Sequence, residues 1–389
     1  RIATMLGSRV PHAVLLAGPG SVGKTTLALD LAAGLLCQAT DRAVRPCRAC
    51  RACRLLDAGN HPDLHRLAPE GPGRQIQIDS IRRLVSALAL LPLEGEARVA
   101  IIESAHRMNE DAQNALLKTL EEPPDGVTIV LCADEDERLL PTVRSRCARI
   151  RLGPVGPREV EALLAEHGAA DAPTAARLAR LAAGRPGLAL AYALAPDAIT
   201  TRGEIARSLL DLLREPPARR LEVIRDLTAS ANRLAVSLAP AENAATVGAP
   251  AMRGRAGRQA GRPARASLAE EARPADEIEP PVDGGETGVG DRPGRAAPAE
   301  RRRAALMLLA VWADLARDLA VVIHRHERSL RDPALLGELE SIAPLVSETA
   351  LATFLARLEE TSTLIDGNAN PELALDVLAL AWPRARRAA

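Results

Sequence analysis

Aromatic side chains are nearly missing from this sequence: Tyr192, Trp312, Phe354 and Trp382 are all that its 389 residues contain. A platform for single-stranded nucleic acid stacks successive bases on aromatic rings, so four scattered rings argue against that mode of binding. Net charge is missing too. Fifty basic residues stand against fifty acidic ones, which excludes a purely electrostatic nucleic-acid binder and leaves only a local basic patch open. No apolar run reaches the ~18 residues that a membrane span requires, and no membrane association is expected. The first residues, Arg1-Ile2-Ala3-Thr4, carry neither an apolar leader nor a starting Met. A few upstream residues are therefore expected to be missing, and a cytoplasmic location is expected. Lysine is the last scarcity: only Lys24 and Lys118 occur, and every other basic residue is Arg. An ammonium is a compact point charge that a guanidinium does not replace, so the two lysines mark positions that require one.

Apolar residues make up 47% and charged residues 26% of the chain, an ordinary globular balance at a length that implies two or three domains. Residues 12–17, 98–103, 127–132 and 148–152 read as four short buried strands. Amphipathic helices are expected at 75–89 and at 109–120, the second stopped by Pro123-Pro124. Strands alternating with helices predict a parallel sheet with helices on both faces. Beyond Gly153 the strand signal ends. Helices are expected over 157–194, 201–238 and 298–384. The stretch at about 240–297 has almost no large apolar residues, five arginines between Arg253 and Arg265, and then an acidic half. It cannot bury enough apolar surface to offset chain entropy and is expected to be a disordered insertion. It reads either as a tolerated loop or, through its arginines, as a DNA contact.

Gly18-Pro-Gly20-Ser-Val-Gly23-Lys24-Thr25 fits the phosphate-loop pattern in full, between an expected strand and an expected helix, with Thr26 following. Such glycines let backbone N–H groups curl around phosphate oxygens at a helix N-terminus. Lys24 would reach the outer phosphates of ATP or ADP, and the Thr25 hydroxyl would hold Mg²⁺. The second strand ends in Glu103-Ser104. Glu103 can serve the metal side of the site or be a strand-end surface acid, but Ser104 stands where a second acid would orient water and cannot act as a base. Nucleotide binding with weak or absent turnover is the expectation, since a positioned base is worth ~10²–10⁴ in rate. Cys37, Cys47, Cys50 and Cys53 lie within 17 residues and suit a structural tetrahedral Zn²⁺, because four protein ligands leave no open position. Cys132 and Cys147 read as small apolar residues.

Four strings occur in this order: the phosphate loop, the cysteine insert at 37–53, Asn114-Ala-Leu-Leu-Lys118-Thr-Leu-Glu-Glu-Pro-Pro124, and Arg144-Ser145-Arg146-Cys147. Together they resemble the bacterial clamp-loader subunits of the AAA+ superfamily, which include the gamma/tau motor type and the delta prime type of DNA polymerase III. Gly59-Asn-His-Pro-Asp63, Leu67-Ala-Pro-Glu70, Cys147 in place of a threonine, Ser104 in place of an acid, and Gly187 in place of a nucleotide-touching arginine are similar to the delta prime type.

The resemblance implies an α/β AAA+ P-loop domain at 1–153 with the zinc insert, a small all-α lid at 154–200, and an all-α collar at 201–389 used for oligomerisation and interrupted by the insertion. It implies membership of a hetero-oligomeric ring with gamma/tau and delta subunits that loads the sliding clamp onto primed DNA. It also assigns Arg146 as an arginine finger for a neighbour's γ-phosphate, where the residues alone equally allow a surface salt bridge. Lys118 is left facing DNA, a neighbouring subunit or solvent. The competing readings are the gamma/tau motor itself and a zinc-bearing DNA-binding module.

Overall fold

The computed structural model describes residues 10–69, 75–246, 297–367 and 369–385. Five strands form one parallel sheet: β1 (Ala13–Ala17), β2 (Leu64–Leu67), β3 (Arg98–Ile102), β4 (Val127–Ala133) and β5 (Ala148–Arg151), in the spatial order β2-β3-β4-β1-β5. Four of the five stand where the apolar runs place them. β2 was not expected. It is a four-residue edge strand, Leu-His-Arg-Leu, with its side chains half-exposed. An edge strand need not be apolar on both faces, so it leaves no run to recognise.

The central strands are buried along their whole length. Successive side chains alternate between faces, so each strand feeds two cores. Ala13 and Leu15 of β1 with Ile129 and Leu131 of β4 meet α3 (Ile78–Leu88), α4 (Glu110–Glu121) and α5 (Pro141–Ser145). Val14, Leu16, Val130 and Cys132 face the other way, onto α1 (Lys24–Leu36) and α2 (Arg51–Asp57). Helix α4 shows why the sequence folds as it does locally. Asn109 caps it by accepting the Ala112 N–H at 3.0 Å, Glu110 and Asp111 complement the positive helix end, and Ala112, Leu116 and Leu120 recur on its buried face.

Beyond β5 the described chain is helical: α6 (Pro157–Glu166), α7 (Ala172–Leu181), α8 (Pro186–Leu194), α9 (Pro196–Asp211), α10 (Pro217–Thr246), α11 (Pro298–Ile323), α12 (Leu336–Ile342), α13 (Glu348–Asp366) and α14 (Pro371–Ala381). The helical stretch expected over 201–238 is built from two helices. The chain breaks at Pro216-Pro217, and Pro217 opens α10, where a missing N–H costs nothing. Buried residues from Val160 to Trp382 form one continuous core. At its centre Trp312, Phe354 and Trp382 pack with ring centroids 4.5–5.5 Å apart. The insertion expected at about 240–297 falls outside the described residues except at its margins, where α10 runs on to Thr246 and Ala297 precedes α11.

Candidate functional site

The phosphate loop leaves the C-terminal end of β1 and enters α1 at Lys24, with Gly23 at the N-cap position and no side chain capping it. The first-turn N–H groups of α1 are thus left for a ligand. Gly18 adopts φ +147, and a Cβ there would stand 2.1 Å from the Leu152 carbonyl oxygen, so only glycine lets the loop pass β5. This donor set fits a polyphosphate: a curled glycine loop, a helix N-terminus and a buried ammonium. Lys24 is 6% exposed and donates from Nζ to the carbonyls of Gly18 at 2.8 Å and Pro19 at 2.6 Å. Its charge is met by Asp134, whose Oδ1 is 2.6 Å away.

Asp134 carries no local signal in the sequence. It immediately follows β4, and β4 pairs directly with β1, so the residue leaving β4 must border the loop leaving β1. Ligands in open parallel sheets lie at that edge, and this was the signal that could have found it. The Asp134 N–H donates to Nδ1 of His106 at 3.2 Å, which requires a neutral imidazole there. Burial holds the His106 pKa below its usual value, against the pull of Asp134.

Glu103 follows β3, as expected. Its Oε1 accepts from both Nε and an Nη of Arg66 on β2, at 3.0 and 2.6 Å. The unexpected edge strand therefore supplies a cation to Glu103. Ser104 adopts φ +50. Thr25 and Thr26 lie in the first turn of α1. Gly187, in α8, presses its backbone on the loop: its N–H donates to the Ser21 carbonyl at 2.9 Å, and a Cβ would stand 3.1 Å from the same oxygen. A side chain in place of Gly187 would push α8 off the loop. Arg185 is turned away and donates from Nε to Ala182.

Arg146 follows α5, 34% exposed, held by Glu121 at 2.5 Å and donating to the Thr142 carbonyl at 2.9 Å. The end of α4 thus braces it, a partner that sequence spacing did not reveal. Lys118 faces solvent on α4. Cys132 is buried in β4, and burial pushes its thiol up to about 12. Burial likewise raises Cys147, to about 11.

The four insert cysteines converge. Their sulfurs all lie within 4.8 Å of one another, and Cys37 and Cys50 are 4.0 Å apart. Ligands 2.3 Å from a tetrahedral zinc stand about 3.8 Å from each other, so the group can hold a metal. Cys37 ends α1, Cys50 caps α2 and Cys53 lies inside α2. Backbone N–H groups of Cys47, Cys50 and Cys53 donate to the sulfurs of Cys37, Cys47 and Cys50 at 3.3–3.4 Å. Donors from the backbone of Ala49 and Cys50 draw the Cys47 thiol down to about 6. Arg48 pairs with Asp30 of α1 and Asp57 of α2, tying the insert to both helices.

With this geometry in place, the match to known sequences is specific. Residues 3–156 match the family model described as DNA polymerase III, delta subunit. Over this region the chain is similar to the delta prime subunits of DNA polymerase III. The DNA polymerase III subunit delta prime of Pseudomonas aeruginosa is 43% identical over 148 residues, 38% of this chain and 45% of its own length. That of Escherichia coli is 36% identical over 190 residues, 49% and 57% respectively. The DNA polymerase III subunit tau of Escherichia coli is 33% identical over 179 residues, 45% of this chain and 27% of its own. The chain spans about half the length of the curated delta prime relatives it matches. No single helix among the described residues is long and apolar enough to cross a membrane.

Proposed function

We propose that the chain acts as a delta prime-type subunit of a hetero-oligomeric clamp loader, beside gamma/tau and delta subunits, helping to place the sliding clamp on primed DNA. It holds a nucleotide at Gly18, Gly20, Gly23, Lys24, Thr25 and Thr26, turns it over weakly or not at all, and presents Arg146 to the γ-phosphate of a neighbouring ATPase subunit. Bound Mg²⁺ would serve to neutralise phosphate charge. A structural Zn²⁺ held by Cys37, Cys47, Cys50 and Cys53 would fix the loop between α1 and α2.

The observation that carries this reading is the end of β3. The only carboxylate there, Glu103, is engaged by Arg66, and Ser104 beside it cannot take a proton from water. Arg146, by contrast, is partly exposed and held on its own subunit only by Glu121 and local oxygens. Supplied across an interface, such a guanidinium is worth ~10³–10⁵ in rate, about 4–7 kcal/mol of barrier. The outer face of α14 supports assembly through the helical region: Leu373, Val377 and Leu380 stand 62%, 56% and 51% exposed at helical spacing, an apolar stripe suited to a partner helix.

Arg146→Ala tests the reading. The isolated chain keeps its fold, and the DNA-stimulated ATPase of the reconstituted assembly falls by at least about 10²-fold. Unchanged ATPase in that assembly refutes the finger.

A further inference from the structure

The phosphate loop is met by an internal anion. Lys24 is the ammonium that a phosphate loop directs at the outer phosphates, and in this chain its charge is already shared. Asp134 Oδ1 lies 2.6 Å from Nζ, and two backbone carbonyls take further protons of the same group. The other carboxylate oxygen stands over the loop itself: a Cβ on Gly20 would be 3.5 Å from Asp134 Oδ2. Asp134 is also fixed from behind, its N–H bonded to the buried His106, and it is 42% exposed, open on the side from which a ligand enters. The acid that would anchor a compensating metal ion, Glu103, is tied to Arg66. Around the loop, then, the cation is spent, a fixed carboxylate is present, and the neighbouring acid is withdrawn.

We infer that Asp134 makes this loop selective for a nucleoside diphosphate over a triphosphate, by holding a negative charge beside the ammonium that a terminal phosphate would need. The inference rests on the reading above that the loop holds nucleotide. A diphosphate can be held by the backbone N–H groups of residues 20–25 and the end of α1, donors that Asp134 does not use. A triphosphate brings its outermost charge to Lys24, where it meets the carboxylate. Like charges at contact distance repel most where water is partly excluded. Asp134 thus acts as a specificity residue, and the device favours the product form of the nucleotide, in keeping with a subunit that does not turn it over.

The test is calorimetric titration of the purified full chain with ADP and with ATP, each with and without Mg²⁺, for the wild type, Asp134→Asn, Asp134→Ala and Lys24→Ala. The wild type is expected to bind ADP at least about ten-fold more tightly than ATP. Asp134→Asn and Asp134→Ala are expected to tighten ATP by at least about ten-fold and to raise its affinity several-fold more than that of ADP. A thermal melt of each variant accompanies the titration, because a purely structural role would lower stability without changing the ADP-to-ATP ratio. Equal affinity of the wild type for the two nucleotides overturns the inference. So does a ratio that Asp134→Asn leaves unmoved, or weaker MgATP binding by that variant, which would make Asp134 a metal ligand. If neither nucleotide binds the wild type, or if Lys24→Ala binds as well as the wild type, the nucleotide reading of the loop falls and this inference with it. Nucleotide that binds through Lys24 without discrimination sinks the inference alone.

Discussion

The sheet domain and the helical body solve the same packing problem with different material. Between Ala13 and Leu152 there is no aromatic residue, and the core is filled by Ala, Val, Leu and Ile on two faces of a parallel sheet. All four aromatic residues lie in the helical body, three of them in mutual contact. Charge is arranged differently in the two regions. In the sheet domain, Lys24, Glu103, Arg146 and the insert cysteines sit at strand and helix ends. In the helical body, Arg202 is 3% exposed and bonds Asp314 at 3.0 Å and Asp332 at 3.3 Å, residues 112 and 130 positions away. Asp318 completes that network by accepting the N–H groups of Arg331 and Asp332. The sheet domain gathers polar groups at its strand ends beside one buried pair, Asp63 with Arg98 at 3.3 Å, whereas the helical body uses its buried charges to lock helices together.

The largest effect that would sharpen this contrast comes from the insert. Metal analysis of the purified chain is expected to give one zinc, and Cys50→Ser with Cys53→Ser none. A structural zinc carries folding energy of order 10–16 kcal/mol in small domains, so chelation should unfold the region around α1 and α2 and spare the helical body, as followed by Trp312 and Trp382 fluorescence. Next is the aromatic trio. Phe354→Ala should cost about 3–5 kcal/mol in a urea titration by leaving a cavity against both tryptophans, with metal content untouched. Arg202→Met should cost about as much, roughly 3 kcal/mol, because two buried carboxylates lose their counter-charge.

The two regions should also part company in acid. Burial lowers the pKa of His61, His65 and His106, all in the sheet domain. Their folded-state pKa lies below the unfolded value near 6.5, so the unfolded chain binds more protons. Their contribution to stability is present above that pH and is lost as pH falls through and below it. Burial raises the pKa of Asp318, so its contribution runs the other way and improves on acidification. Melting followed separately in each region between about pH 7.5 and pH 5.5 is expected to show the sheet domain weakening first. The smallest effect belongs to the ion pair joining the regions, Arg138 with Asp366 at 3.3 Å. As a partly exposed pair it should contribute under ~1 kcal/mol, and Arg138→Ala should leave both transitions nearly in place.

Legibility in the sequence follows the same division. The phosphate loop, the cysteine insert and four strands were readable because each is written within a few residues: a glycine spacing, a cysteine spacing, an apolar run. What escaped was set by pairing across the sheet or between distant helices. Asp134 meets Lys24 because β4 lies beside β1. Arg66 meets Glu103 because β2 lies beside β3. Glu121 meets Arg146 because α4 ends near α5. Each partner is an ordinary surface-type residue in the sequence, and only the placement of strands and helices gives it a role. The link between Arg202 and Asp332, 130 residues apart, had no local signal at all.

The most direct measurement is the steady-state ATPase rate of the purified chain by itself, set beside that of the assembled clamp loader containing it. The account predicts negligible turnover alone and, in the assembly, DNA-stimulated turnover that depends on Arg146. Vigorous hydrolysis by the solitary chain would contradict it, because the end of β3 would then be doing what Glu103, bound to Arg66, and Ser104 leave undone.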